Sequence, residues 1–267
     1  MNAALQAELT QALKDLRMPT IKSCYAGEAD AARAESLTYE CYLLEIIRRE
    51  REQRRIGRIE RLLRQSRLPR EKTIESFDRK RLPIKVNQQL GVLLEGGFVD
   101  RRENVLAFGN PGSGKTHLLA AIGHELIHQG HRVLFRTCSL LVQELLVAKR
   151  DLELPRALYR LSKFDAIIID DIGYVQQSRQ EMEVLFTLLA ERYERGSVML
   201  TSNLPFSKWE QIFKDPMTTA AAIDRLVHHS IILELNLTSY RLEASKMKSE
   251  KNKKQSSKSP STPTNTK

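Results

Sequence analysis

Five short apolar runs set the strongest limit on what this chain can fold into: "NVLAFGN" (104–110), "RVLFRT" (132–137), "DAIIID" (165–170), "SVMLTSN" (197–203) and "SIILELN" (230–236). The first four are each followed by a helical stretch. Strands buried on both faces read as unbroken apolar runs, and parallel strands need helical crossovers between them. The pattern predicts an α/β nucleotide-binding domain with a parallel five-stranded sheet at residues 69–245. Its alternation runs from about Lys72 to Arg241, after a short helix over Ile84 to Glu95.

"AFGNPGSGKTHLLAAIG" (107–123) joins the first run to a helix and carries G-x-x-x-x-G-K-T at Gly109, Gly114, Lys115 and Thr116. A strand before it and an apolar helix after it are the context that such a phosphate loop requires. Its glycines let successive backbone N–H groups curl toward phosphates, and the helix N-terminus adds partial positive charge. Gly109, Asn110, Pro111, Gly112, Ser113, Gly114, Lys115, Thr116 and His117 form the candidate ATP-binding set. Lys115 is expected to reach the β- and γ-phosphates, and the Thr116 hydroxyl to hold Mg²⁺.

Asp170 and Asp171 close the third run, at the strand end where parallel sheets bind ligands. Asp170 is expected to hold the metal and Asp171 to orient or deprotonate the attacking water. Asn203, at the end of the fourth run, is placed to hydrogen-bond that water or the γ-phosphate. Arg225 in "AAIDRLVHHS" and Arg241 in "SYRLE" suit surface pairs, and the residues alone assign them no further role. The six histidines show no spacing with carboxylates that suggests a metal or a nucleophile. Cys24, Cys41 and Cys138 suit neither a disulfide framework nor zinc, and read as small buried or half-buried residues.

Residues 1–68 read as a small all-helical domain. Leu5, Leu9, Leu13 and Leu16 form a stripe that should face a neighbouring helix. A long helix over Cys41 to Arg67 carries nine arginines against four glutamates, with Leu44, Ile47, Ile56, Ile59 and Leu63 as its apolar positions. Its basic face is either solvated and laced with Glu–Arg pairs or a contact for nucleic acid phosphates. Arg54, Arg55 and Arg58 are the candidate DNA contacts. The formal net charge of +10 is concentrated in the tail at 246–267, where seven lysines and few apolar residues predict disorder. No run of about 18 apolar residues occurs and no secretion signal precedes the fold, so a soluble, cytoplasmic protein with no membrane partner is expected.

Taken together, "GNPGSGKTHL", "IIIDDIGY", "LTSNLPFSKWEQIF", "AAIDRLVHHS" and "SYR" resemble the IstB-type helper ATPases of bacterial insertion sequences, in the DnaC/DnaA-like branch of the AAA+ superfamily. The resemblance covers nearly the whole chain to about Ser245. It implies an AAA+ P-loop ATPase that forms a homo-oligomer on duplex DNA and works with a cognate transposase. By position it makes Asn203 the sensor-1 residue, Arg225 the arginine finger and Arg241 the sensor-2 arginine. Asp171 stands where a glutamate is commonest, which puts its carboxylate roughly 1.5 Å further from the water; slow intrinsic hydrolysis would suit a timing switch. A DnaC-type replicative helicase loader shares every one of these residues, and an ATP-binding switch that never turns over is a third reading.

Overall fold

A computed structural model describes residues 3–173, 178–213, 215–235, 237 and 239. The chain divides between Arg64 and Gln65 into two compact units. Arg241 and the tail at 246–267 lie outside the described residues.

The first unit is built on α1 (Ala3–Asp15), α2 (Pro19–Ala34) and the long α3 (Tyr39–Ser66), whose last two residues lie past the division. Leu13, Ile21, Tyr25 and Ile46 are its buried apolar cluster, with Met18, Ala26 and Tyr42 against it. Two expectations are corrected here. Of the leucine stripe only Leu13 is buried, whereas Leu5, Leu9 and Leu16 are exposed. On α3, Leu44 and Ile47 are exposed and Ile46 turns inward instead.

The physical reason lies at the start of α2. Pro19 occupies the first turn and no side chain of the preceding residues caps it. The free N–H groups need an acceptor. Glu50 of α3 supplies it, accepting from the backbone N–H of Thr20 (2.9 Å) and Ile21 (3.0 Å). Glu50 lies one turn beyond Ile46, so this bond fixes which face of α3 is buried.

In the second unit α4 (Ile84–Leu94) and α5 (Gly97–Asp100) precede β1 (Asn104–Gly109). The order continues through α6 (Lys115–His128), β2 (Val133–Thr137), α7 (Cys138–Arg150), α8 (Leu154–Ser162), β3 (Ala166–Asp170), α9 (Arg179–Arg192) and β4 (Ser197–Ser202). It ends with α10 (Glu210–Phe213), α11 (Pro216–Val227) and β5 (Ser230–Leu235). The five strands form one parallel sheet in the order β2-β3-β4-β1-β5. The apolar runs account for this: Val105, Leu106, Ala107, Ile167, Ile168, Ile169, Met199 and Leu200 are all completely buried.

The register decides which side chains share an edge. Phe108 pairs with Ser202 and Ile169 with Leu200, so Gly109, Asp170 and Thr201 stand together at the C-terminal edge. At the opposite edge Arg192 is buried, and burial pulls its guanidinium pKa down to about 10. It donates to the carbonyls of Leu161, Phe164, Asp165 and Ser197, and so ties α8 and α9 to the starts of β3 and β4. None of the three cysteines forms a disulfide; Cys41 is exposed rather than buried or half-buried. Among the described residues no helix is long and apolar enough to cross a membrane.

Candidate functional site

The loop from Gly109 to Lys115 leaves β1 through backbone that only glycine takes without strain. Gly109 has φ +151° and Gly114 φ +96°. A Cβ at Gly109 would collide with the Leu235 carbonyl, and one at Gly114 would stand 3.3 Å from the Phe77 ring. Gly109 therefore excludes other residues by conformation and by space, and Gly114 by conformation. Gly114 is followed directly by Lys115, the first residue of α6, so the loop delivers the helix N-terminus to its own centre.

Lys115 is buried, and its Nζ donates to the carbonyl oxygens of Gly109 (2.7 Å) and Asn110 (2.9 Å). These bonds hold the ammonium over the loop. Cradle, helix N-terminus and buried cation converge on one place, and that is the donor set a polyphosphate requires.

His117, one residue past Thr116, is turned to the connector before the sheet. Its Nε2 donates to the Thr73 carbonyl (3.1 Å) and lies 3.1 Å from Ser76 Oγ, while the Phe77 ring meets it edge-on at 5.1 Å. Burial pulls its pKa below the ordinary histidine value. Seven residues on, His124 Nε2 donates to the Pro69 carbonyl (3.0 Å). Sequence reasoning missed this role of the connector: Thr73, Ser76 and Phe77 carry no phosphate-binding signature, and only the fold brings them to the loop.

Across the edge, Asp170 ends β3 and Asp171 follows with φ +68°. Left-handed backbone is tolerated best by glycine, asparagine and aspartate. That is a structural reason for aspartate at this position where a glutamate was the common expectation. The Asp171 backbone N–H donates to Thr201 Oγ1 (2.7 Å), which donates in turn to Asp170 Oδ1 (2.8 Å). Two residues past Thr201, Asn203 Oδ1 is buried with no hydrogen-bond partner among the described residues. An orphaned buried acceptor beside two carboxylates and a phosphate cradle fits a site for a hydrated metal–phosphate group. The segment that follows is anchored by packing. Phe206 meets Phe108 at 4.6 Å, and the buried Trp209 donates its indole N–H to the Leu204 carbonyl (3.1 Å).

The structure thus brings the loop, Asp170, Asp171 and Asn203 to one edge. Arg225 is elsewhere. Asn104, the first residue of β1, donates its side-chain amide to the Leu226 carbonyl (3.1 Å), which fixes the end of α11 at the N-terminal edge. The Arg225 guanidinium lies over the Phe186 ring at 4.4 Å, and its buried NH1 has no hydrogen-bond partner among the described residues. It lines a cavity of about 270 Å³ together with Arg102, Asn104, Glu194 and His229. At about 3.3 Å per residue, the length of β1 puts roughly 17 Å of strand between this edge and the loop. An arginine side chain does not span that. Near the same corner Glu194, His228 and His229, all exposed, each place one ligand atom within 4.8 Å of the others, a proximity that their sequence spacing does not reveal.

Arg54, Arg55 and Arg58 belong to the helical unit. Arg54 is committed there: it donates Nε to Glu50 (2.8 Å) and NH2 to the Arg17 carbonyl (2.5 Å). Arg55 pairs with Glu52 at 3.6 Å. On the same helix Arg51 and Arg61 make no ion pair among the described residues.

A family model described as IstB-like ATP binding protein matches residues 11–249. An insertion sequence ATP-binding protein of Sinorhizobium fredii is 44% identical over 241 residues, covering 90% of this chain and 81% of that protein. Among solved structures, a DNA replication initiation factor aligns with TM-score 0.56 at 20% identity, over 70% of this chain and 56% of that one. The chain therefore spans a little over half the length of that factor. A DnaC helicase loader aligns with TM-score 0.54 at 14% identity, over 62% of this chain and 97% of the loader. At these identities the two alignments show a shared fold of sheet and helices and no more.

Proposed function

This chain belongs to the IstB-like ATP binding family of insertion sequences and is an AAA+ ATPase, and from that premise we propose that it is the ATP-dependent DNA-binding helper of a transposase. In this reading ATP-bound subunits assemble on duplex DNA, present it to the cognate transposase, and are released by hydrolysis. Residues 69–245 are the ATPase domain and residues 1–68 the domain that contacts DNA or partner.

The loop residues Gly109 to Thr116 cradle the phosphates, and Lys115 leaves its backbone carbonyls to meet the β- and γ-oxygens. Thr116 and Asp170 hold Mg²⁺, which neutralises charge on the phosphate oxygens when bound. Asp171 orients the attacking water and Asn203 hydrogen-bonds the same water or the γ-phosphate. The carrying observation is the place of Arg225, on the edge away from its own loop, with a buried NH1 that has no hydrogen-bond partner among the described residues. A guanidinium so placed stabilises the transition state only in a neighbouring subunit, which makes the site complete in an oligomer alone. Arg241 is assigned the sensor-2 role from the family motif. Arg55 and Arg58, and Arg54 through the part of its guanidinium that its bonds to Glu50 and Arg17 leave exposed, are proposed to meet DNA phosphates, an interaction that carries little sequence information.

The test is electron microscopy of the protein with duplex DNA and a non-hydrolysable ATP analogue. Ordered oligomers along the duplex are expected; particles that stay monomeric on DNA would overturn the reading. A DnaC-type helicase loader is the second reading, favoured by the alignment that covers 97% of such a loader. A transposase gene beside this one, between terminal inverted repeats, decides for transposition; binding to a replicative helicase decides for the loader.

A further inference from the structure

We propose that the Thr201 hydroxyl is the positioning group of the ATPase site, holding the metal-binding carboxylate of Asp170 and the backbone of Asp171 in one hydrogen-bonded chain. The proposal rests on the reading of Asp170 as the Mg²⁺ holder and Asp171 as the residue that orients water.

A threonine hydroxyl has one proton to give and lone pairs to receive. Both capacities are in use here. The proton goes to Asp170 Oδ1 (2.8 Å), and the Asp171 N–H is received at 2.7 Å. Thr201 is 1% exposed, so water cannot replace either bond. The register that pairs Ile169 with Leu200 carries the next residues, Asp170 and Thr201, side by side at the C-terminal ends of β3 and β4. The Thr201 carbonyl also accepts from the Ile172 N–H (3.0 Å), so both polar ends of this residue grip the turn after β3.

Two consequences follow for the site. With Oδ1 held by the hydroxyl, the Asp170 carboxylate has a fixed rotation, and its other oxygen is the one left to face a cation. Asp171 sits at φ +68°, a conformation that an aspartate keeps when surrounding bonds over-determine it. The N–H that Thr201 receives is one of those bonds, so the hydroxyl also sets the direction in which the Asp171 side chain leaves the backbone. Bonds aligned in this sense polarise one another, and the chain runs from the Asp171 amide through the hydroxyl to the Asp170 carboxylate. Residues that orient a metal-binding group commonly matter 10- to 100-fold for metal affinity or turnover.

The experiment compares Thr201→Val, Thr201→Ser and Asp170→Asn with the wild type by titrating Mg²⁺ against binding of a fluorescent ATP analogue, with turnover measured in parallel. Val keeps the volume and removes the hydroxyl; Ser keeps the hydroxyl. Thr201→Val is expected to raise the Mg²⁺ midpoint about 10-fold or more while leaving magnesium-free nucleotide binding unchanged, and to lower kcat by a similar factor. Thr201→Ser should restore both. A purely structural hydroxyl would move the melting temperature alone, so a wild-type Mg²⁺ midpoint in folded Thr201→Val, with Asp170→Asn shifted, overturns the proposal and leaves the role of Asp170 standing. An unshifted Asp170→Asn overturns the metal-holding reading and this proposal with it. Where Thr201→Val does not fold, Thr201→Ala is read by the same criteria.

Discussion

Asp170 and Glu50 are both carboxylates set beside apolar residues, one in each compact unit, and the fold uses them in opposite ways. Asp170 stands at a strand end with one oxygen held by Thr201, and the other has no hydrogen bond from a described residue. Glu50 is turned inward and spent on structure: one oxygen receives the first N–H groups of α2 and the other receives Arg54. In the sheet unit parallel register delivers polar side chains to a common edge and leaves them chemistry to do. In the helical unit, where no register exists, a charge supplies what the local sequence lacks.

The largest expected effect tests the sheet unit through the residue that its register does not bring to the loop. If Arg225 acts as the proposed arginine finger, Arg225→Ala should bind ATP normally yet lose turnover by on the order of 10³-fold. Mixed with Lys115→Ala, whose loop is disabled but whose arginine is intact, it should recover part of that activity. Absence of rescue in mixtures shown by crosslinking to form hetero-oligomers would assign Arg225 to its packing on Phe186 alone.

The contrast between the two carboxylates also explains what could be read ahead of the fold. Gly109, Gly114 and Lys115 were legible because a phosphate loop needs fixed residue types at fixed spacing. Asp170 was legible because a charge ending an apolar run has one place to go. Thr201 was not, since a threonine closing a strand is common and its partner lies 31 residues away, joined only through the pairing of β3 with β4. On α3 the run Leu43, Leu44, Ile46 and Ile47 offers several apolar stripes at helical spacing. The choice of Ile46 came from the capping bond of Glu50, which periodicity does not contain.

A smaller effect is expected at Glu50. Burial pushes its carboxyl pKa up, and the hydrogen bonds from Arg54, Ile21 and Thr20 outweigh burial, leaving it below the ordinary glutamate value. A depressed folded pKa stabilises above the unfolded value, and that stability disappears as pH falls through the folded one. Glu50→Gln should therefore cost about 1–3 kcal/mol at neutral pH and remove that part of the acid destabilisation that begins below the ordinary value of 4.5. Denaturant melts followed from pH 7 to pH 3 check both. Equal acid sensitivity in the variant and the wild type would show that the carboxylate is not the capping charge.

The smallest effect concerns the basic face of α3. Neutralising Arg51, Arg55 and Arg58 should weaken DNA binding about equally for all sequences and reduce the salt slope by roughly one unit for each phosphate that is no longer neutralised. Arg54 is best kept out of this set because its bonds to Glu50 and Arg17 make its removal a folding change. An unchanged slope would make the face a solvated surface or a protein-binding one.

The most direct test of the switch is duplex DNA retention measured with and without ATP for the wild type and Lys115→Ala. Lys115 is the buried cation of the loop, held over the Gly109 and Asn110 carbonyls. Removing it should weaken ATP binding on the order of 100-fold, as expected for charge-assisted hydrogen bonds to phosphate. The account predicts that the wild type holds duplex DNA when ATP is present and that Lys115→Ala does so no better with ATP than without. ATP-dependent retention by Lys115→Ala equal to that of the wild type would contradict it.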